Sequence, residues 1–157
     1  MGSHLGNLIG NPSETTLAIG HLIFGGVLER MPNLKLVFAH GGGYACFAIG
    51  RFDHGHEERP ESREHIEQPP STYLRRMYFD NLLHDERAAR YVLETAGAGH
   101  VVLGTDYPAD MGPTRPVARV AESSAYSDDE KAAVLGGTML SLLGLAREEV
   151  GREPDAT

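Results

Sequence analysis

Leu34 to His40 reads LKLVFAH, and Gly41-Gly42-Gly43 follow at once. A short, mostly apolar run carrying β-branched Val37 and aromatic Phe38, and stopping abruptly in glycine, has the pattern of a strand buried on both faces of a parallel sheet. Two further runs repeat it: Met77 to Asn81 (MYFDN) and His100 to Asp106 (HVVLGTD). Between and around them the period changes to that of helices. TTLAIGHLIFGGVLER, ahead of the first run, places Leu17, Ile19, Leu22, Ile23, Val27 and Leu28 at helical spacing. Ser13 is its expected N-cap, Glu14 lies in the positively polarised first turn, and Met31-Pro32 is its stop. Tyr44 to about Glu58 is expected to be helical, and ERPESREHIEQPPS to be a surface connection leading to a short helix near Tyr73 to Arg76. HDERAARYVLETAG forms a helix ended by Gly97, and the loop YPADMGPTRP leaves the third strand. Helical pieces are expected at Pro116 to Ser123, from Ser127 with Asp128, Asp129 and Glu130 in the first turn, and at Thr138 to Leu143.

Strands alternating with helices imply right-handed crossovers and a parallel sheet, with ligands beyond the carboxyl ends of the strands. Three strands are few, since a closed (β/α)₈ barrel takes about 250 residues. The reading is therefore one α/β unit spanning 7–150, with 1–6 as a tag-like or native start that includes MGSH, and 151–157 as a frayed tail.

The whole sequence has 157 residues, room for one domain. Fourteen basic against 22 acidic residues leave a net charge of −8, which opposes nucleic acid and anionic lipid as partners and points to small molecules or proteins. The single Cys46 offers no intrachain disulfide, and no apolar stretch near a membrane-spanning length occurs, so a cytoplasmic setting is the expectation.

Polar residues close each strand: His40 the first, Asp80 and Asn81 the second, Asp106 the third. In a parallel sheet these positions face one common mouth, where an imidazole nitrogen and a carboxylate suit a divalent cation such as zinc. Each could instead cap a neighbouring turn, Asp80 above all. Gly41 to Gly43 fit neither a nucleotide loop nor a dinucleotide fingerprint and are expected to keep space open beside His40. His54-Gly55-His56 has metal-ligand spacing for a strand, but on a helix the two rings diverge. His21 suggests a packing or interface residue, His65 and His100 carry no signal, and His84 stands at a helix start near the mouth. Arg51 could aim a bidentate fork at a carboxylate or pair on the surface with Asp53 or Glu57.

GNPSETTLAIGHLIFGGVLERMPNLKLVFAHGGG, GRFDHG, YFDNLLHD and VVLGTDYP, in this order, resemble the carboxyl-terminal portion of the amidohydrolase-related family. Within it the chain is most similar to aminocarboxymuconate-semialdehyde decarboxylases and resorcylate-type decarboxylases. The resemblance runs from about Asn7 to Leu145. It implies the last three strands, with their helices, of a (β/α)₈ TIM barrel of the metal-dependent hydrolase type, with a divalent metal, commonly zinc, at the carboxyl mouth. It places a metal ligand on Asp106, an acid/base on His40 and a substrate-carboxylate contact on Arg51, the last often serving a neighbouring subunit, so a homo-oligomer is implied.

Departures accompany the match. The family's first-strand HxH and fifth-strand histidine are expected ahead of residue 1, and Thr138 stands where the family has asparagine. The expectation is thus a fragment of a decarboxylase acting on an unsaturated or aromatic carboxylate, completed by an amino-terminal half. The alternatives are a hydrolase opening an amide or lactone, and a noncatalytic barrel fragment that self-associates.

Overall fold

A computed structural model describes residues 3–149; the tail expected at 151–157 lies outside them. Helical turns begin earlier than the caps suggest. A π-type turn at Gly6–Gly10 runs directly into α1 (Asn11–Phe24), and the Ser13 hydroxyl donates to the Ile9 carbonyl instead of capping a helix start. Pro12 sits near the beginning of α1, where little backbone hydrogen bonding is lost. The expected single helix is cut at Gly25-Gly26. Gly26 takes φ 66° because its chain turns against the His65 carbonyl, and a separate turn α2 (Val27–Arg30) follows.

The sheet has three strands in the order β1-β2-β3, all parallel: β1 (Val37–Phe38), β2 (Tyr78–Asp80) and β3 (Val101–Val102). Val37 pairs with Tyr78, Phe38 with Phe79, Phe79 with Val101, and Asp80 with Val102. Strand regions are shorter than the apolar runs that announce them, because β1 and β3 are both edges and laddering needs a partner. One expectation fails outright: the first strand is not buried on both faces. Leu34, Leu36 and Phe38 pack on the core, while Lys35, Val37 and Ala39 alternate with them and are exposed. That second face is open at β1, where Val37 is exposed, and closed at β3, where Val102, which shares it by register, is buried.

The covered face carries the core. Phe79 at the sheet centre is fully buried, stacked with Phe38 at 6.2 Å, and joined by Ile19 and Ile23 from α1 and by Leu28 from α2. Helix α3 (Ala45–Glu58) crosses from β1 towards β2 and packs on α4 (Pro70–Leu74). The latter starts earlier than expected and inserts Tyr73 and Leu74 into the core, so the polar connection ahead of it is a scaffold, with Ile66 buried. The Tyr73 hydroxyl donates to Glu29 at 2.6 Å, tying α4 to α2. Helix α5 (Glu86–Ala96) joins β2 to β3. Its N-cap Asp85 accepts from the Arg87 guanidinium and from the Ala88 and Arg87 amides, which together lower its carboxyl pKa to about 2. After β3 come α6 (Pro116–Ala121), α7 (Asp128–Ala132) with its Ser127/Glu130 capping box, and α8 (Thr138–Leu143). No helix among the described residues is long and apolar enough to cross a membrane.

Candidate active site

Because the strands are parallel, the segments leaving them emerge at one end of the sheet. His40 opens a tight turn two residues beyond β1, and Asp106 lies four residues beyond β3. Asp80, the last residue of β2, and Asn81 just after it bridge these segments. Asp80 Oδ1 accepts the Gly41 amide at 2.9 Å and the Leu82 amide at 3.1 Å. Asn81 Oδ1 accepts the Gly104 amide at 2.9 Å, and its backbone N–H donates to the Val102 carbonyl at 3.0 Å. Asp80 therefore does cap a turn, as one reading of its position holds, but the turn is the one that carries His40.

Backbone conformation singles out the same end of the sheet. Apart from His4, the non-glycine residues with left-handed backbone among those described are His40 (φ 55°), His84 (φ 57°) and Asp106 (φ 54°), one after each strand. Such a conformation costs an L-residue roughly 1–2 kcal/mol, and the surrounding hydrogen bonds must hold it. Sequence reasoning found two of these three as site candidates; the strain could not be read from residue types that do not require it.

The glycines after His40 have a reason other than the open space expected of them. A side chain on Gly41 would strike Leu83, one on Gly42 the Phe79 ring, and one on Gly43 the Pro12 carbonyl. They let the turn press onto β2 and α1. The His40 ring keeps Nδ1 buried with no hydrogen-bond partner. A small cavity of about 40 Å³ bordered by Asn81, His84, Gly104, Arg119 and Tyr126, which does not include His40, has room for water but not for a substrate. Burial pushes the Tyr126 phenol above its ordinary value, against the opposing effect of its hydrogen bond to Asn81.

The remaining candidates separate. Arg51 lies on α3, two turns from its start, exposed and without an ion pair among the described residues. Asp53 accepts the Ser71 amide instead, and Glu57 lies 3.9 Å from His54. His54 is exposed and His56 buried, so the HxH rings point apart. His21 is exposed, which rules out the packing role offered for it, because that helix face meets no neighbour among the described residues. His100 stacks on Tyr78 at 4.7 Å. A larger groove of about 1030 Å³, bordered by Leu135, Met139, Leu140, Leu143 and Leu145, lies along α8 and includes none of these residues.

A resident cation is tested by the donors present. No group of three His, Cys, Asp or Glu among the described residues could hold a metal. Asp106 fits as a single carboxylate ligand, and the unpartnered His40 ring fits a neighbouring role; a full coordination shell needs donors from outside residues 3–149.

Comparison with known proteins gives a consistent picture. The chain is 42% identical over 139 residues to 2-amino-3-carboxymuconate-6-semialdehyde decarboxylase of Dictyostelium discoideum, covering 88% of this chain and 39% of the relative. It superimposes on 5-carboxyvanillate decarboxylase from Sphingomonas paucimobilis with a TM-score of 0.78 at 26% identity, over 88% of this chain and 42% of that one. A dihydroxybenzoic acid decarboxylase from Polaromonas, solved with bound manganese and 2-nitroresorcinol, shares the fold with a TM-score of 0.74 at 18% identity, over 90% of this chain and 43% of that one. The chain thus spans about two fifths of the length of the proteins it matches. The amidohydrolase family model matches residues 1–145, which take in all three strands and the segments carrying His40 and Asp106, and the chain belongs to the amidohydrolase family.

Proposed function

We propose that this chain forms the last three strand–helix units of a (β/α)₈ barrel that decarboxylates an unsaturated or aromatic carboxylate. The observation that carries the reading is the convergence on β2: Asp80 and Asn81 tie the segments bearing His40 and Asp106 to the same strand end. The decarboxylase names of its relatives support the reaction class.

Asp106 is the ligand this chain offers to a divalent cation, zinc or the manganese seen in a structural neighbour. When bound, such a cation supplies electrostatic stabilisation for the negative charge that develops as carbon dioxide leaves. His40 acts as the acid/base. Its imidazole, whose buried Nδ1 has no hydrogen-bond partner among the described residues, delivers a proton to the carbon losing its carboxylate. Arg51, exposed and without an ion pair among the described residues, binds the carboxylate of a substrate held by a neighbouring subunit. The exposed side of β1 and the edges of the sheet receive a complementing amino-terminal half.

The test is metal analysis and carbon dioxide release, on the chain alone and mixed with the portion of the Dictyostelium relative that the match leaves out. Stoichiometric cation binding lost in Asp106→Ala, with CO₂ release lost in both Asp106→Ala and His40→Ala, is the expected result. Ring or amide opening without CO₂ would make the protein a hydrolase. A stable, metal-free oligomer inactive in both settings would make it a scaffold.

A further inference from the structure

Asp80 touches neither the space beside Asp106 by any hydrogen bond nor the His40 ring, yet it is placed to govern the latter. Its Oδ1 accepts the Gly41 N–H, and that N–H belongs to the peptide plane that begins at the His40 carbonyl. A peptide is rigid, so pinning its N–H restrains ψ of His40 and φ of Gly41 together, and with them the Cα–Cβ direction from which the imidazole extends. Both residues sit in the left-handed region, at φ 55° and 60°, where the turn needs such a constraint to persist. The carboxylate is itself held. Leu82 N–H donates to the same oxygen, and Gly104 of the β3 segment lies so close that a Cβ there would stand 2.8 Å from Oδ2 and 2.9 Å from Cγ.

We propose that Asp80 is a positioning residue for His40, acting through the Gly41 amide, and that Gly104 is glycine to leave room for the Asp80 carboxylate. The catalytic meaning of this rests on His40 being the acid/base; the structural claim does not.

The experiment uses the isotope-labelled 157-residue chain and reads Gly41 amide exchange and the His40 ring resonances by NMR. Asp80→Ala is expected to speed Gly41 exchange by about tenfold and to move the His40 ring signals, with the amides of α5 unchanged. Asp80→Asn, which keeps an acceptor oxygen, is expected to restore both. Gly104→Ala, in the segment that leaves β3, is expected to shift the His40 ring signals because its methyl displaces the carboxylate, and it decides the matter if Asp80→Ala fails to fold. Wild-type Gly41 exchange and His40 signals in Asp80→Ala overturn the proposal, as does a uniform rise in exchange across α5, or a Gly104→Ala chain whose His40 signals stay in place. None of these readouts needs metal or turnover, so absence of cation binding at Asp106 would sink the enzyme reading alone.

Discussion

Replacing Gly42 by alanine tests whether the turn behind His40 is pressed onto the core as tightly as its geometry demands. Gly42 has φ 76°, and a Cβ there would lie 2.7 Å from Cδ1 and Cε1 of Phe79 and 3.2 Å from Cδ1 of Ile19. Phe79 and Ile19 are fully buried, and the Phe79 ring is backed by Phe38, so the obstruction has little room to yield. The left-handed backbone costs alanine about 1–2 kcal/mol. Forcing a methyl into a packed core adds about 1–3 kcal/mol. Together these predict a loss of about 2–5 kcal/mol from a domain whose total stability is on the order of 5–15 kcal/mol. Gly50 provides the internal control. It lies in α3, exposed, with nothing within 4 Å of its would-be Cβ, so Gly50→Ala should stabilise by about 0.5–1 kcal/mol through helix propensity. Urea denaturation followed by far-ultraviolet circular dichroism measures both. With a slope of about 2 kcal/mol/M, the Gly42→Ala midpoint should fall by about 1–2.5 M and the Gly50→Ala midpoint should rise. A Gly42→Ala midpoint within experimental error of wild type, or equal losses in the two variants, would refute the close packing claimed for this turn.

Cys46 is 2% exposed, and burial raises its thiol to about 12, so it should resist a disulfide reagent at pH 8 in the native chain and react once urea has unfolded it. Asp85 stays ionised down to about 2 when folded, whereas the unfolded chain takes up that proton near 3.8. Its contribution is therefore complete above the unfolded value and lost as pH falls through the window from about 4 to 2; thermal melts of Asp85→Asn should show a weaker acid dependence there than wild type. Ser127→Ala removes the hydroxyl that accepts the Glu130 amide in the capping box and should cost about 1 kcal/mol in a denaturant titration.

Parallel α/β organisation was legible because the three apolar runs and the helices between them differ in period, and burial enforces period. The start of α7 was legible because Ser127 does the capping its residue type suggests, whereas the helix expected from His84 begins one residue later than its cap Asp85. Ser13 misled because the same hydroxyl can bond back to a carbonyl one turn earlier when the helix continues upstream, as it does to Ile9. The break at Gly25-Gly26 was hidden inside an unbroken apolar period. So was the exposure of Val37, since an apolar residue looks alike whether its face is covered or waiting to be.

By itself the sequence determined which segments leave the strands, and motif order there was enough to assign the family: each motif is a contiguous string whose chemistry travels with it. Only the tertiary structure decided how those ends are joined. The hydrogen bond from Gly41 to Asp80 spans 39 positions and that from Gly104 to Asn81 spans 23, and both depend on strand register. The left-handed backbone of His40 and Asp106 likewise arises from packing around them, because neither residue type requires it.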